Sequence, residues 1–283
     1  MSRVVVLGGT GFIGRHASVA LGRRGYDVRS FSSSLVDLEQ AGGAAALAAH
    51  IVAGTSVVMC SGITSTVDNT VRSYRANLAM VVNLVRALRV RPPRSVVFLS
   101  STFVYGRRGR PVSIDEDEPT APDCPYSRAK LKSERLLGRL VEGPVTVLRL
   151  PGVYGPGDEG RSVVSGLAAR IARREQAELV GGGRQLRDYI HVEDVARLIA
   201  RVVEVPFRGV LNVTSGEPIR IADLAALVSR VVGVPLRGVE RPADGTVYDL
   251  TFDVGRLRRH YPDAVPAGVA RRLPGCTLPF AAG

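Results

Sequence analysis

The chain has 283 residues, enough for one or two domains with a sizeable core. Its apolar share of 45% and charged share of 23% are those of a globular protein in water, and no apolar run reaches bilayer length, which argues against a membrane partner. The formal net charge of +12 suggests nucleic acid, but the basic residues are scattered as Arg-Arg pairs without a long block or aromatic interleaving, so no nucleic-acid partner is expected.

Cys60, Cys124 and Cys276 are odd in number and widely spaced. They fit neither a disulfide framework nor a metal knuckle, so no metal is expected. The chain runs into a strand-like segment from its first residues without a leader pattern, which implies a cytoplasmic location.

In chain order, RVVVLGG (3–9) reads as a strand broken by glycines, RHASVALGRRG (15–25) as a helix, and YDVRSF (26–31) as a second strand. TSVVMCS (55–61), SVVFLSS (95–101) and VTVLRL (145–150) are further buried runs. Between the first two of these, Val71, Tyr74, Leu78, Val81, Leu84, Val85 and Leu88 recur at helical spacing. Later come a helix in 162–175, a turn at 181–185, a strand and helix in 187–204, a strand at 209–215 and a helix at 220–233. The tail 271–283 reads as poorly ordered.

This alternation implies an α/β fold with a doubly wound parallel sheet of Rossmann type and a smaller, interleaved C-terminal substrate domain. The expected boundaries are 1–155 plus about 188–215 for the dinucleotide-binding domain, and about 156–187 plus 216–283 for the substrate domain.

GGTGFIG places Gly8, Gly11 and Gly14 between a strand and a helix. The glycines serve a tight turn, room beside a pyrophosphate and close helix packing, while the helix N-terminus attracts phosphate. Thr10, Phe12, Ile13 and Arg15 complete this cofactor loop. After the second strand, Ser32 stands where an NAD site usually has an acid. With no carboxylate there to repel a 2′-phosphate, and Arg15 nearby, NADP(H) is favoured over NAD(H).

Only two of the 38 basic Lys and Arg residues are lysines, Lys130 and Lys132. Lys130 lies four residues after Tyr126, so the two share a helix face. The ammonium is expected to favour the phenolate and lower the pKa of Tyr126, and a compact lysine suits that position better than the broad arginine fork. A hydroxyl at the end of the preceding strand, from Ser100, Ser101 or Thr102, would complete the set.

Jointly, GGTGFIG, SSTFVYG, PYSRAK, LRLPGVYGP, RDYIHVEDVA and NVTSGEP resemble the extended short-chain dehydrogenase/reductases, the nucleotide-sugar epimerases, dehydratases and reductases. The resemblance covers nearly the whole chain. It implies Ser101, Tyr126 and Lys130 as catalytic residues, Asp37 near the adenine, and Asn77 beside the cofactor. It also implies Thr102, Arg187 and Arg241 on the substrate side, the arginines gripping a diphosphate. His191 in the same motif reads as packing or a strand hydrogen bond. Where dehydratases carry an acidic residue after the catalytic hydroxyl, this chain has Thr102 and Phe103, which argues against 4,6-dehydration. Gly152 replaces an asparagine that the family uses on the sugar nucleotide.

The short link from Ser32 to Asp37 and the modest length resemble the dTDP-sugar reductases. The expected function is therefore an NAD(P)-dependent ketoreductase of a nucleotide-linked 4-keto-6-deoxyhexose. The alternatives are a nucleotide-sugar 4-epimerase with tightly bound NAD and a non-catalytic NADP-binding redox sensor. The family resemblance further implies a homodimer through the helices around 70–90 and 125–141.

Overall fold

The computed structural model describes residues 2–107, 113–243, 245 and 247–276. The chain divides into two compact units. The first comprises Met1–Gly106, Pro119–Leu150 and Val195–Leu211; the second comprises Arg107–Glu118, Pro151–Asp194 and Asn212–Gly283. Sequence pattern assigns 1–155 and about 188–215 to the first unit, whereas here 107–118, 151–155, 188–194 and 212–215 fall with the second.

The first unit is built on β1 (Arg3–Leu7), β2 (Asp27–Phe31), β3 (Ser56–Met59), β4 (Ser95–Ser101) and β5 (Val145–Leu150). Between them run α1 (Phe12–Arg23), α2 (Gly43–Ala48), α3 (Val71–Val90) and α4 (Pro125–Leu140). β6 (Gly152–Tyr154), α5 (Val163–Ala172), β7 (Ala177–Val180), β8 (Leu186–Arg187) and β9 (Tyr189–His191) follow, then α6 (Val192–Glu204) and β10 (Gly209–Asn212). β10 joins a six-stranded sheet of order β10-β5-β4-β3-β1-β2. The β1–β2, β1–β3, β3–β4 and β4–β5 pairs are all parallel.

The chain winds outward in both directions from β1, so the loops after β1 and β3 part at a topological switch point, where doubly wound sheets bind ligands. Every residue of β3, β4 and β5 is buried, which is why these strands read as unbroken apolar runs. Val5, Leu7, Val57, Val96, Phe98 and Val147 pack with Leu84, Leu88 and Leu137 of the covering helices.

Local chemistry sets the helix ends. Thr70 and Ser73 form a capping box at the start of α3, and Pro92–Pro93 follow its end. Helix α4 starts with Cys124 and Ser127 in the same reciprocal arrangement, Pro125 in its first turn, and Asn69 Oδ1 accepting the Tyr126 N–H at 3.0 Å.

Among the described residues, the second unit has three two-stranded sheets. Parallel β6–β9 is one; the others are the pairs of β8 with β11 (Ile219–Arg220), antiparallel, and of β7 with β12 (Gly238–Arg241), parallel. Helix α7 (Ile221–Val232) packs on α5 through Leu224, Val228, Leu167 and Ile171. Helix α8 (Gly255–His260) follows. The tail departs from the expected disorder: Val269–Arg272 is helix α9, with a 3-10 turn to Gly275, because Val269 and Leu273 are buried in this core. Residues 277–283 of that segment lie outside the described residues.

Among the described residues, no helix is long and apolar enough to cross a membrane, and no three His, Cys, Asp or Glu side chains gather as metal ligands.

Candidate active site

The loop after β1 is made by close approach of backbone. Gly8 has a φ of +75°, and a Cβ there would lie 2.8 Å from Ser61 N in the loop after β3. A Cβ at Gly14 would lie 2.1 Å from Gly8 O, and at Gly9 2.5 Å from Ser30 Cβ. Gly11 donates its N–H to Gly8 O at 3.0 Å and starts α1 without a side-chain cap or an acid in the first turn. The first-turn N–H groups therefore present partial positive charge to any anion placed there. These residues fit a dinucleotide pyrophosphate. Thr10 and Arg15 are exposed, with Phe12 and Ile13 half-buried.

Past β2, Ser32 Oγ and Ser34 Oγ share a 2.6 Å hydrogen bond, and Asp37 Oδ1 accepts the Glu39 N–H at 2.9 Å. The Asp37 carboxylate thus closes its own turn.

At the carboxyl end of β4 the fold brings together Ser101, Tyr126 and Lys130. Ser101 is buried as the strand ends and a 3-10 turn (102–105) begins, its Oγ accepting the Phe103 N–H at 3.2 Å. Tyr126 is half-buried in the first turn of α4, near enough for the Ser101 hydroxyl to act on its phenol. One turn further along, buried Lys130 donates from Nζ to Leu99 O at 2.7 Å, with Nζ 5.0 Å from the Phe98 ring centre and 5.7 Å from that of Tyr126.

The expected lowering of the tyrosine is not what the structure gives. Burial dominates and pushes the Tyr126 phenol up to about 12; the Ser101 hydroxyl pulls it down and Cys124 adds to the rise. Burial also brings Lys130 down to about 8, against the opposing pull of Cys60 and Glu134. The phenol therefore holds its proton near neutrality.

Asn77 is buried nearly two turns into α3. Its Oδ1 accepts the Ile63 N–H at 2.8 Å and its Nδ2 donates to Ile63 O at 3.0 Å, so both amide functions clamp the loop after β3. A Cβ added to Gly62 would come within 3.3 Å of Asn77 Oδ1 and 3.4 Å of Lys130 Nζ, which puts loop, clamp and ammonium in one place. Thr102 opens the 3-10 turn after Ser101 and is buried, 2% exposed.

Arg187 and Arg241 belong to the second unit. Arg187 donates to Leu186 O at 2.8 Å and to Tyr248 O, and its guanidinium lies 4.4 Å from the Tyr248 ring centre. Neighbouring Asp188 is engaged instead by the Ser215 N–H and Oγ and the Gly216 N–H. Arg241 is exposed and pairs with Glu178 at 2.6 Å. His191 Nδ1 accepts the Glu193 N–H at 3.3 Å, and the ring packs edge-on to Tyr154. Gly152 has a physical reason in the same unit: a Cβ there would lie 2.6 Å from the Tyr189 ring, so that ring fills the space an asparagine would need.

Sequence reasoning missed several members of the site. Leu99 O and Phe98 act through backbone and ring face, for which sequence carries no signal. The Glu134–Arg149 pair could have been found, because Arg149 is a lone charge in a buried strand run and Glu134 is the next residue four along from Lys130.

Residues 4–214 match the family described as the NAD dependent epimerase/dehydratase family. A dTDP-6-deoxy-L-talose 4-dehydrogenase (NAD(P)(+)) from Kitasatospora kifunensis is 31% identical over 215 residues, 68% of this chain and 67% of that protein. A dTDP-4-dehydro-6-deoxy-D-allose reductase from a Streptomyces species is 28% identical over 253 residues, 76% of this chain and 77% of that protein. Among solved structures, the UDP-glucose 4-epimerase of Thermotoga maritima with UDP-glucose shares the fold, with a TM-score of 0.82 at 23% identity over 91% of both chains.

Proposed function

This chain belongs to the NAD-dependent epimerase/dehydratase family, and within it we propose an NADP(H)-preferring ketoreductase of a nucleotide-linked 4-keto-6-deoxyhexose. The observation that carries the reading is the gathering of Ser101, Tyr126 and Lys130 at the carboxyl end of β4, with Lys130 Nζ 5.7 Å from the Tyr126 ring centre and burial holding the phenol in its protonated form. A phenol that keeps its proton near neutrality is a general acid, the state that carbonyl reduction requires. The similarity to a dTDP-sugar 4-dehydrogenase and a dTDP-4-keto-sugar reductase supports the substrate class.

A nicotinamide cofactor held by these residues would supply the hydride. Tyr126 gives its proton to the carbonyl oxygen, and Ser101 hydrogen-bonds that oxygen as charge develops on it. Lys130 holds the cofactor ribose and stabilises the phenolate left behind. Gly8, Thr10, Gly11, Phe12, Ile13, Gly14 and Arg15 take the pyrophosphate side, with Ser32, Asp37 and Asn77 as the further cofactor residues. Thr102, Arg187 and Arg241 are assigned to the substrate, and a homodimer through α3 and α4 belongs to the same reading.

The test is the loss of NADPH absorbance when purified protein meets a dTDP-4-keto-6-deoxyhexose. A steady fall that disappears in Tyr126→Phe is expected. No consumption by folded protein that carries bound NAD through purification would replace this reading with a redox-neutral 4-epimerase.

A further inference from the structure

Three side chains of α4, each four residues from the last, engage three consecutive residues of β4. Tyr126 lies near enough for the Ser101 hydroxyl to act on its phenol, Lys130 donates to Leu99 O, and Glu134 accepts from Ser100 Oγ. The third rung is a buried charge that the Ser-Tyr-Lys set does not use. Glu134 also accepts from Arg149 Nε at 3.2 Å and Nη2 at 2.7 Å, the two side chains being only 6% and 5% exposed. Arg149 Nη1 donates in turn to Tyr105 Oη at 2.8 Å, in the turn that follows Ser101. Burying an ion pair contributes little net stability, because desolvation offsets the attraction. A pair held this tightly beside the site points to another role.

We propose that Glu134 is a positioning residue: its carboxylate keeps the Lys130 ammonium protonated in a dry pocket and fixes the Ser100–Ser101 end of β4 against α4. This rests on Ser101, Tyr126 and Lys130 being the reacting set. The titratable and charged groups facing Lys130 are Cys60 from the loop after β3, Tyr126 and Glu134 on its own helix, and, behind Glu134, Arg149 of β5. Burial pushes the Cys60 thiol up to about 12, and Tyr126 is likewise neutral near neutral pH. Glu134 is thus the anion in this set that opposes the desolvation of the ammonium.

The composition offers a direct readout, since Lys130 and Lys132 are the only lysines. Protein labelled with carbon-13 lysine gives two side-chain signals, assigned with Lys132→Arg, and each is titrated in the absence of substrate. In Glu134→Gln the Lys130 midpoint is expected to fall by about one pH unit, with the Lys132 midpoint unchanged. Glu134→Asp, which draws the charge back by one methylene, should recover part of the loss. If Glu134→Gln does not fold, Glu134→Gln/Arg149→Met leaves no unpaired charge in the pair, and a smaller fall in the same direction is expected. A Lys130 midpoint unmoved in whichever variant folds overturns the proposal. Because the titration needs no substrate, its outcome is separate from that of the ketoreductase assay.

Discussion

Lys130 Nζ and Leu99 O are joined by a 2.7 Å hydrogen bond that holds a buried ammonium against interior strand β4 rather than in solvent. The charge is kept there at a cost. Its pKa falls from 10.5 to about 8 on folding, so the unfolded chain binds more protons between those values. Stability accordingly rises as pH climbs through about 8 to 10.5, and below that window the buried charge costs on the order of 3 kcal/mol. Lys130→Met removes this penalty but leaves Leu99 O without its donor, a loss of about 1–3 kcal/mol. We expect urea unfolding near neutral pH to give a stability within about 2 kcal/mol of wild type, alongside at least ~10²-fold lower NADPH oxidation. A collapse in stability would make Lys130 a structural residue.

The two shifts in the site also set the pH dependence of turnover. Tyr126 stays protonated up to about 12, so it does not limit the acid form on the alkaline side of neutrality. Lys130 begins to lose its charge near 8. Carbonyl reduction should be level through neutrality and fall above about pH 8, whereas oxidation of the alcohol, which needs the phenolate, should rise with pH. Initial rates in both directions across this range check the assignment. A reduction rate that climbs above pH 8 would be incompatible with it.

Gly14 tests the cofactor loop. A Cβ there would sit 2.1 Å from Gly8 O, a backbone atom that cannot swing aside. Gly14→Ala is expected to cost roughly 1–3 kcal/mol of stability through overpacking. It should also weaken NADPH binding by tenfold or more, because the loop and the first turn of α1 must part. Thermal melting and a fluorescence titration with NADPH report the two effects.

Ser32 tests cofactor choice. Its Oγ is bonded to Ser34 Oγ, in a loop that follows β2 without a carboxylate at the strand end. Ser32→Asp would set a negative charge where the 2′-phosphate of NADPH is proposed to lie. The ratio of kcat/KM for NADPH over NADH should fall by at least tenfold, about 1.4 kcal/mol. An unchanged ratio would remove Ser32 from the ribose site.

What was legible in the sequence follows from the physics of each part. The strands β3, β4 and β5 are buried on both faces, so they appear as apolar runs, and the glycine loop is recognisable because a side chain would collide with backbone at Gly8 and Gly14 and with Ser30 at Gly9. Tyr126 and Lys130 stand out through helical spacing and through a lysine in an arginine-rich chain. The direction of the tyrosine shift was not legible, since it is set by burial against β4, which sequence does not measure. The short strands β7, β8, β11 and β12 were missed because two to four residues carry no periodicity. The helix at 269–272 was missed because its packing partners lie far away in sequence.

The proposed homodimer has an electrostatic signature. Arg128, Lys132, Arg135 and Arg139 recur at helical spacing along the exposed side of α4 and line a cavity of about 440 Å³ with Tyr74, Leu131 and Leu136. Helix α3 contains no acidic residue, and the one acid of α4, Glu134, is turned inward onto Arg149. Two copies joined through this face bring like charges together, and that repulsion is screened within about 10 Å at 0.1 M salt but reaches about 30 Å at 0.01 M. Sedimentation at micromolar concentration should therefore show the dimer strengthening as salt rises over this range, with Arg135→Glu weakening the salt dependence. A monomer at every salt concentration would remove the dimer, and a dimer indifferent to salt would move its interface away from α4.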